Sequence, residues 1–371
     1  MKTIIPIIRA RFLTLLALAG FLTASLAQEV TIPDPNLNAV VRATLGKPNG
    51  PLTRQDMLGL TNLSAIFRNI TKLAGLETAQ NLVSLDIQDN RVTSFNFPTN
   101  LTRLVFLDIS ENRFPQLTLP DGLTNLTALR AELGWLTNVT LPTGLTKLTS
   151  LRLGLNQLSS LALPADMTNL SVLSVFQNQL TNLTLPPALT SLTNLNLDGN
   201  RLSSLNLPAG TTQLSVLIAS ANQLTKFTVP ADLTNLAFLR LSGNQLTSLI
   251  LPPDLQQLIG LFVDGNPLTT FVLSEPLAAI GLAGVVDSLR NQGVSVFTYP
   301  LAVRITSPLQ TTATFKFTLT GPPGIYAVLS SSNLTAWSAQ GTATNTLGTV
   351  SFTDGSANLS PQKFYRVRPA P

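Results

Sequence analysis

The sequence contains no cysteine and no histidine. Without cysteine there is no disulfide framework, thiolate metal site, iron–sulfur ligation or cysteine nucleophile. Without histidine there is no Ser-His-Asp triad, no histidine-ligated zinc and no imidazole acid–base chemistry. Charge is sparse as well: 11% of the 371 residues are charged, 23 bases against 18 acids, a formal net charge of +5. That excess would suit a nucleic-acid or anionic-membrane binder, but its placement argues otherwise. Lys2, Arg9 and Arg11 fall within the first 27 residues, which hold no acid, and without them 20 bases face 18 acids. Scattered, near-balanced charge leaves no electrostatic footprint for phosphate. No nucleic-acid partner and no cofactor are therefore expected.

The same three bases precede an uninterrupted apolar stretch, Phe12 to Ala24, and the small residues Ser25 and Ala27 follow it. That order reads as a secretory signal peptide cut before Gln28. The stretch is shorter than the ~20 residues a spanning helix needs, and no later segment is long and apolar enough to cross a membrane. The expected destination is extracellular, on the cell surface or in the periplasm.

The middle of the chain repeats. Asparagine recurs at 90, 112, 156, 178, 200, 222, 244 and 266, always at 22 residues or a multiple, while position 134 holds glycine. Proline keeps the same period at 98, 120, 142, 164, 186, 208, 230 and 252. Each unit carries L-x-x-L-x-L-x-x-N-x-L, the leucine-rich repeat signature. The L-x-L step predicts a short strand with one buried face, stacked in parallel on the next coil. The asparagines Asn90, Asn112, Asn156, Asn178, Asn200, Asn222, Asn244 and Asn266 are expected to form a ladder, each amide satisfying backbone groups where the chain turns inward. Proline opens the opposite, convex side, where no ladder hydrogen bond is required.

The chain resembles secreted bacterial leucine-rich repeat proteins of the internalin type over about residues 28–300. The implied fold is an α/β solenoid, a leucine-rich repeat horseshoe with a parallel concave sheet, a helical N-cap and a small C-terminal all-β domain. Residues 1–27 are expected to be the signal peptide and 28–62 the helical cap. About ten repeats would fill 63–273, with a C-terminal cap over 274–300 and a β-sandwich-like module over 301–371. The cap reads well locally. Asp34 and Pro35 open a helix, Leu37, Val40, Val41 and Leu45 share a face, Gly46 closes it, and Thr53 with Asp56 makes a capping box. In the last module FKFTL, IYAVLSSS, TVSFTD and KFYRVR read as strands, and Trp337 is expected in their core. The module resembles short C-terminal modules on secreted proteins of environmental bacteria.

The resemblance places ligands on the concave face, which implies non-catalytic binding of a protein or carbohydrate. The positions flanking the buried leucines nominate Phe106, Arg130, Glu132, Arg152, Phe176, Asp198, Phe238, Arg240 and Phe262. Aromatic side chains on a surface that ought to be polar mark contact sites. Asp86 and Asp108 followed by Arg130 and Arg152 read as a cross-strand salt-bridge ladder. A weaker alternative has Asp86, Asp89, Asp108 and Glu111 holding calcium. Weaker still is a glycan-acting enzyme with Asp86 and Asp108 as its carboxylate pair. The main competitor to recognition is a structural or adhesive scaffold of a surface or matrix. Gly134-Trp135 reads either as local drift of one repeat or as an opened site beside Arg130 and Glu132.

Overall fold

The computed structural model describes residues 28–311, 314–356 and 362–370. The expected signal peptide lies outside the described residues. The chain divides into two compact units, Met1–Leu192 and Thr193–Pro371.

The first unit begins with two helices, α1 (Pro35–Leu45) and α2 (Arg54–Leu58). Asp34 starts α1, its Oδ1 accepting from the amides of Asn36 and Leu37, both at 3.0 Å. Pro35 occupies the first turn, where no amide donor is needed. Gly46 ends the helix in the left-handed region at φ 62. The capping box of Thr53 and Asp56 is present, and Lys47 holds the Asp56 carboxylate well below its usual value, to about 2. The other oxygen of Asp34 accepts from the amide and hydroxyl of Thr71, at 2.8 and 2.9 Å, so one buried carboxylate caps the helix and ties it to the first coil.

The coils follow as three-residue strands. These are β1 (Asn62–Ser64), β2 (Ser84–Asp86), β3 (Phe106–Asp108), β5 (Ala128–Arg130), β7 (Ser150–Arg152) and β8 (Val172–Ser174). They pair in parallel in that order with an unbroken 22-residue register. The central leucines of β2 to β8, Leu85, Leu107, Leu129, Leu151 and Leu173, are fully buried. Burying each such side chain contributes roughly 1.5–3 kcal/mol. On the other side β4 (Gln116–Thr118) pairs with β6 (Asn138–Thr140). The register runs straight through β5 and β7, so Gly134 opens no site in the sheet. A Cβ there would lie 2.8 Å from the side-chain oxygen of Asn156, which the glycine makes room for.

The asparagines repeat one geometry. Asn178 accepts from the amide of Leu158 at 2.9 Å and donates to the carbonyl of Leu153 at 3.0 Å, and Asn90, Asn112 and Asn156 do the same at the same offsets. A second ladder runs outside it. Asn81, Asn125 and Asn169 each donate to the carbonyl 23 residues earlier, at 2.7–2.9 Å. The asparagine before the leucine in A-Q-N-L, L-T-N-L and M-T-N-L therefore satisfies a carbonyl of the preceding coil. The residue before each inward asparagine of this unit, Asp89, Glu111, Leu155 or Gln177, adopts a left-handed conformation, and so does Leu133 before Gly134.

The second unit continues the pattern with parallel β9 (Asn194–Asn196), β10 (Val216–Ile218), β11 (Phe238–Arg240) and β13 (Gly260–Phe262). A second parallel sheet joins β12 (Ser248–Ile250), β14 (Thr270–Ser274) and β15 (Ser295–Tyr299). Helix α3 (Ala283–Asn291) buries Val286 and Leu289 beside it. Tyr299 is fully buried and donates to the carbonyl of Leu251 at 2.6 Å.

Two antiparallel three-stranded sheets complete the unit. One orders β16 (Arg304–Gln310), β17 (Phe315–Thr320) and β20 (Thr349–Asp354). The other orders β19 (Ser338–Asn345), β18 (Gly324–Ser331) and β21 (Phe364–Pro369). Phe317, Leu319, Tyr326, Val328 and Ala343 form their core, flanked by Phe315, Phe352 and Tyr365. Trp337 is not part of it, contrary to the expectation. It lies just before β19, with the guanidinium of Arg366 4.3 Å from its ring centre. Strands β16 and β19 have no counterpart among the four expected from sequence.

Candidate functional site

The side chains flanking the buried leucines emerge on the open face of the parallel strands, because alternate residues of a strand point to opposite sides. The nominated residues fall into two groups, one in each unit.

In the first unit Phe106 on β3 and Arg130 on β5 are brought together, the guanidinium 5.4 Å from the ring centre. Arg130 also approaches Asp108, at 3.9 Å. Asp108 is buried and accepts from the amide of Ser110 at 2.9 Å; Asp86 beside it accepts from the amide of Gln88 at 3.2 Å. Burial raises the Asp86 pKa, and the neighbouring Asp108 charge adds to the rise. Glu132 is raised for the same first reason, burial, with Arg152 pulling against it. The Nε of Arg152 is buried without a hydrogen-bond partner among the described residues.

The acid–base rows do not make the continuous salt-bridge ladder that their order suggests. Arg130–Asp108 is the ion pair on this face among the described residues, and Arg130 and Arg152 are register neighbours of like charge. Nor do Asp86, Asp89, Asp108 and Glu111 converge. Among the described residues no three His, Cys, Asp or Glu side chains are gathered to hold a metal ion. Asp89 and Glu111 stand on the left-handed turn beyond the strands, and Glu111 accepts from the side chain of Gln88 at 2.9 Å.

Phe176 lies against Gly154, its neighbour one coil earlier. A Cβ on Gly154 would sit 2.1 Å from the ring, so the ring occupies its place only because that residue is glycine. In the second unit Phe238 and Gly260, register partners on β11 and β13, repeat the arrangement, with a built Cβ 2.4 Å from the ring. Their neighbours Arg240 and Phe262 are also register partners, the guanidinium 4.6 Å from the ring centre. Phe238 and Phe262 remain exposed. Asp198 follows β9, its amide donating to the side chain of Asn196 at 3.1 Å.

The glycine beds were missed in the sequence, although both glycines lie 22 residues from a phenylalanine, in its own column. A further exposed group went unnoticed. Leu133 and Leu155, both left-handed, are exposed, as is Trp135, whose ring lies 5.6 Å from the Arg113 guanidinium. No helix among the described residues is long and apolar enough to cross a membrane.

Comparison with known proteins agrees with this architecture. Overlapping segments at 87–194, 110–219 and 153–262 match the family described as BspA type leucine rich repeat region, in six copies. Internalin H of Listeria monocytogenes serovar 1/2a is 34% identical over 77 residues, 20% of this chain and 14% of that protein. The chain therefore spans a small part of that relative's length. Among solved structures, internalin C2 of Listeria monocytogenes is 32% identical, over 55% of this chain and 91% of that one, with a TM-score of 0.46. The functional domain of InlJ from the same species, described as including a cysteine ladder, is 21% identical over 74% and 73%, with a TM-score of 0.48. The 22-residue period, the parallel coils and the repeat-family matches make this a leucine-rich repeat protein, and in sequence it is similar to the internalins.

Proposed function

We propose that this is a secreted, non-catalytic recognition protein that binds a protein or glycan on the open face of its parallel strands, the face expected to be concave. Within each unit the stacked coils present a row of side chains, which suits a broad partner surface. The observation that carries the proposal is the bedding of Phe176 on Gly154 and Phe238 on Gly260. An aromatic ring seated in the space a glycine leaves on a solvent-facing strand loses little conformational freedom when a partner covers it, and such rings are favoured contact anchors. The guanidinium groups of Arg130 and Arg240 beside Phe106 and Phe262 add directional donors next to apolar surface.

The test is alanine replacement of Arg130, Arg152 and Phe176 together in the secreted chain. Partners are captured on the unaltered protein and their affinity for both forms is measured. Binding is expected to fall sharply while the circular dichroism spectrum stays unchanged. Unaltered binding by a folded variant overturns the site.

A further inference from the structure

We infer that the C-terminal module carries a separate binding site for a neutral sugar, with Trp337 as its stacking platform. A cavity of about 460 Å³ is lined by Ser330, Ser331, Ser338, Gln340, Ser356 and Lys363, with Trp337 in its wall. That volume falls within the ~300–1,000 Å³ of small-molecule sites.

Trp337 plays no part in the hydrophobic core of the module, so packing does not account for it. It is nevertheless fixed at two points. Its indole N–H donates to the carbonyl of Leu334 at 3.1 Å, and Arg366 covers the ring at 4.3 Å. A ring held in this way offers apolar area without a further loss of side-chain freedom. Apart from Ala336 and Lys363, the rest of the wall is hydroxyl and amide. Its one cation is already neutralised: Lys363 donates to Asp354 at 2.6 Å and to Ser356 at 3.1 Å. Hydroxyl and amide groups around a rigid indole match a pyranose ring, whose C–H face is apolar and whose edge is hydroxyl.

The full-length chain supplies the test. Trp135 and Trp337 are its two tryptophans, so Trp135→Phe leaves Trp337 as the sole indole reporter. Cellohexaose, chitohexaose and maltohexaose are titrated against this variant by fluorescence and against the unaltered chain by calorimetry. At least one is expected to shift the emission saturably, and Trp337→Ala to weaken its binding at least about tenfold. Should Trp337→Ala not fold, Ser338→Ala with Gln340→Ala replaces it, and a several-fold loss is expected. Binding of none of the three sugars, or binding undiminished in a folded variant, overturns the inference. Neither outcome bears on the open-face site of the repeats, whose variants are expected to keep sugar affinity.

Discussion

At the scale of single residues, glycine and asparagine do most of the shaping. The asparagine ladder was legible because it needs a residue type at a fixed period, and Asn178 and its equivalents answer it with one donor and one acceptor offset. The left-handed turn before each asparagine was not legible. Only Gly199, Gly243 and Gly265 advertise it, while Glu111, Leu155 and Gln177 adopt the same conformation because the coils on either side impose it. Such positions cost non-glycine residues energy that the surrounding ladder must offset. The glycine beds are of a third kind: Gly154 is unremarkable until Phe176 lies on it. Replacing Gly154 by alanine should push the ring away. Partner affinity is expected to drop while thermal stability changes little, the displaced ring having solvent to move into. Unchanged affinity would remove Phe176 from the contact surface.

At the scale of elements, the N-terminal cap was readable in detail because caps are local. Asp34, Pro35, Gly46, Thr53 and Asp56 take the roles their types suggest. What locality could not show is the second oxygen of Asp34 on Thr71. Burial works to raise the Asp34 pKa, but the hydrogen bonds from Thr71 and Leu37 outweigh it and hold it below the ordinary value. The stability it contributes is therefore complete above that ordinary value and is withdrawn as pH falls through the lower, folded one. Asp34→Asn should destabilise the cap by about 1–3 kcal/mol at neutral pH, with the gap closing in strong acid. Urea melts at neutral and acid pH measure both, and a gap that widens on acidification would refute the assignment. The two missed strands have plain reasons. Strand β19, SAQGTATN, has no apolar alternation, and its pairing with β18 makes it a strand. Strand β16 contains Pro308 and shifts register between Thr306 and Leu309, a proline position that only an edge strand tolerates.

At the scale of the whole molecule, charge placement sets what the protein avoids. Starting at Gln28, 20 bases face 18 acids. That chain is expected to pass through immobilised duplex DNA at ~0.15 M salt without retention. Retention that disappears at higher salt would reveal a phosphate-binding surface. By itself the sequence determined the solenoid, its 22-residue pitch and the residues that line its open face, because a repeat converts sequence period directly into spatial period. Tertiary structure alone decided which of those lining residues meet. It paired Arg130 with Phe106, rested Phe176 on Gly154, kept the four acids from gathering around a metal, and took Trp337 out of the core into a cavity wall. Each of these depends on distances of a few ångströms between side chains, and composition and period specify a position along the chain without specifying which way its side chain turns.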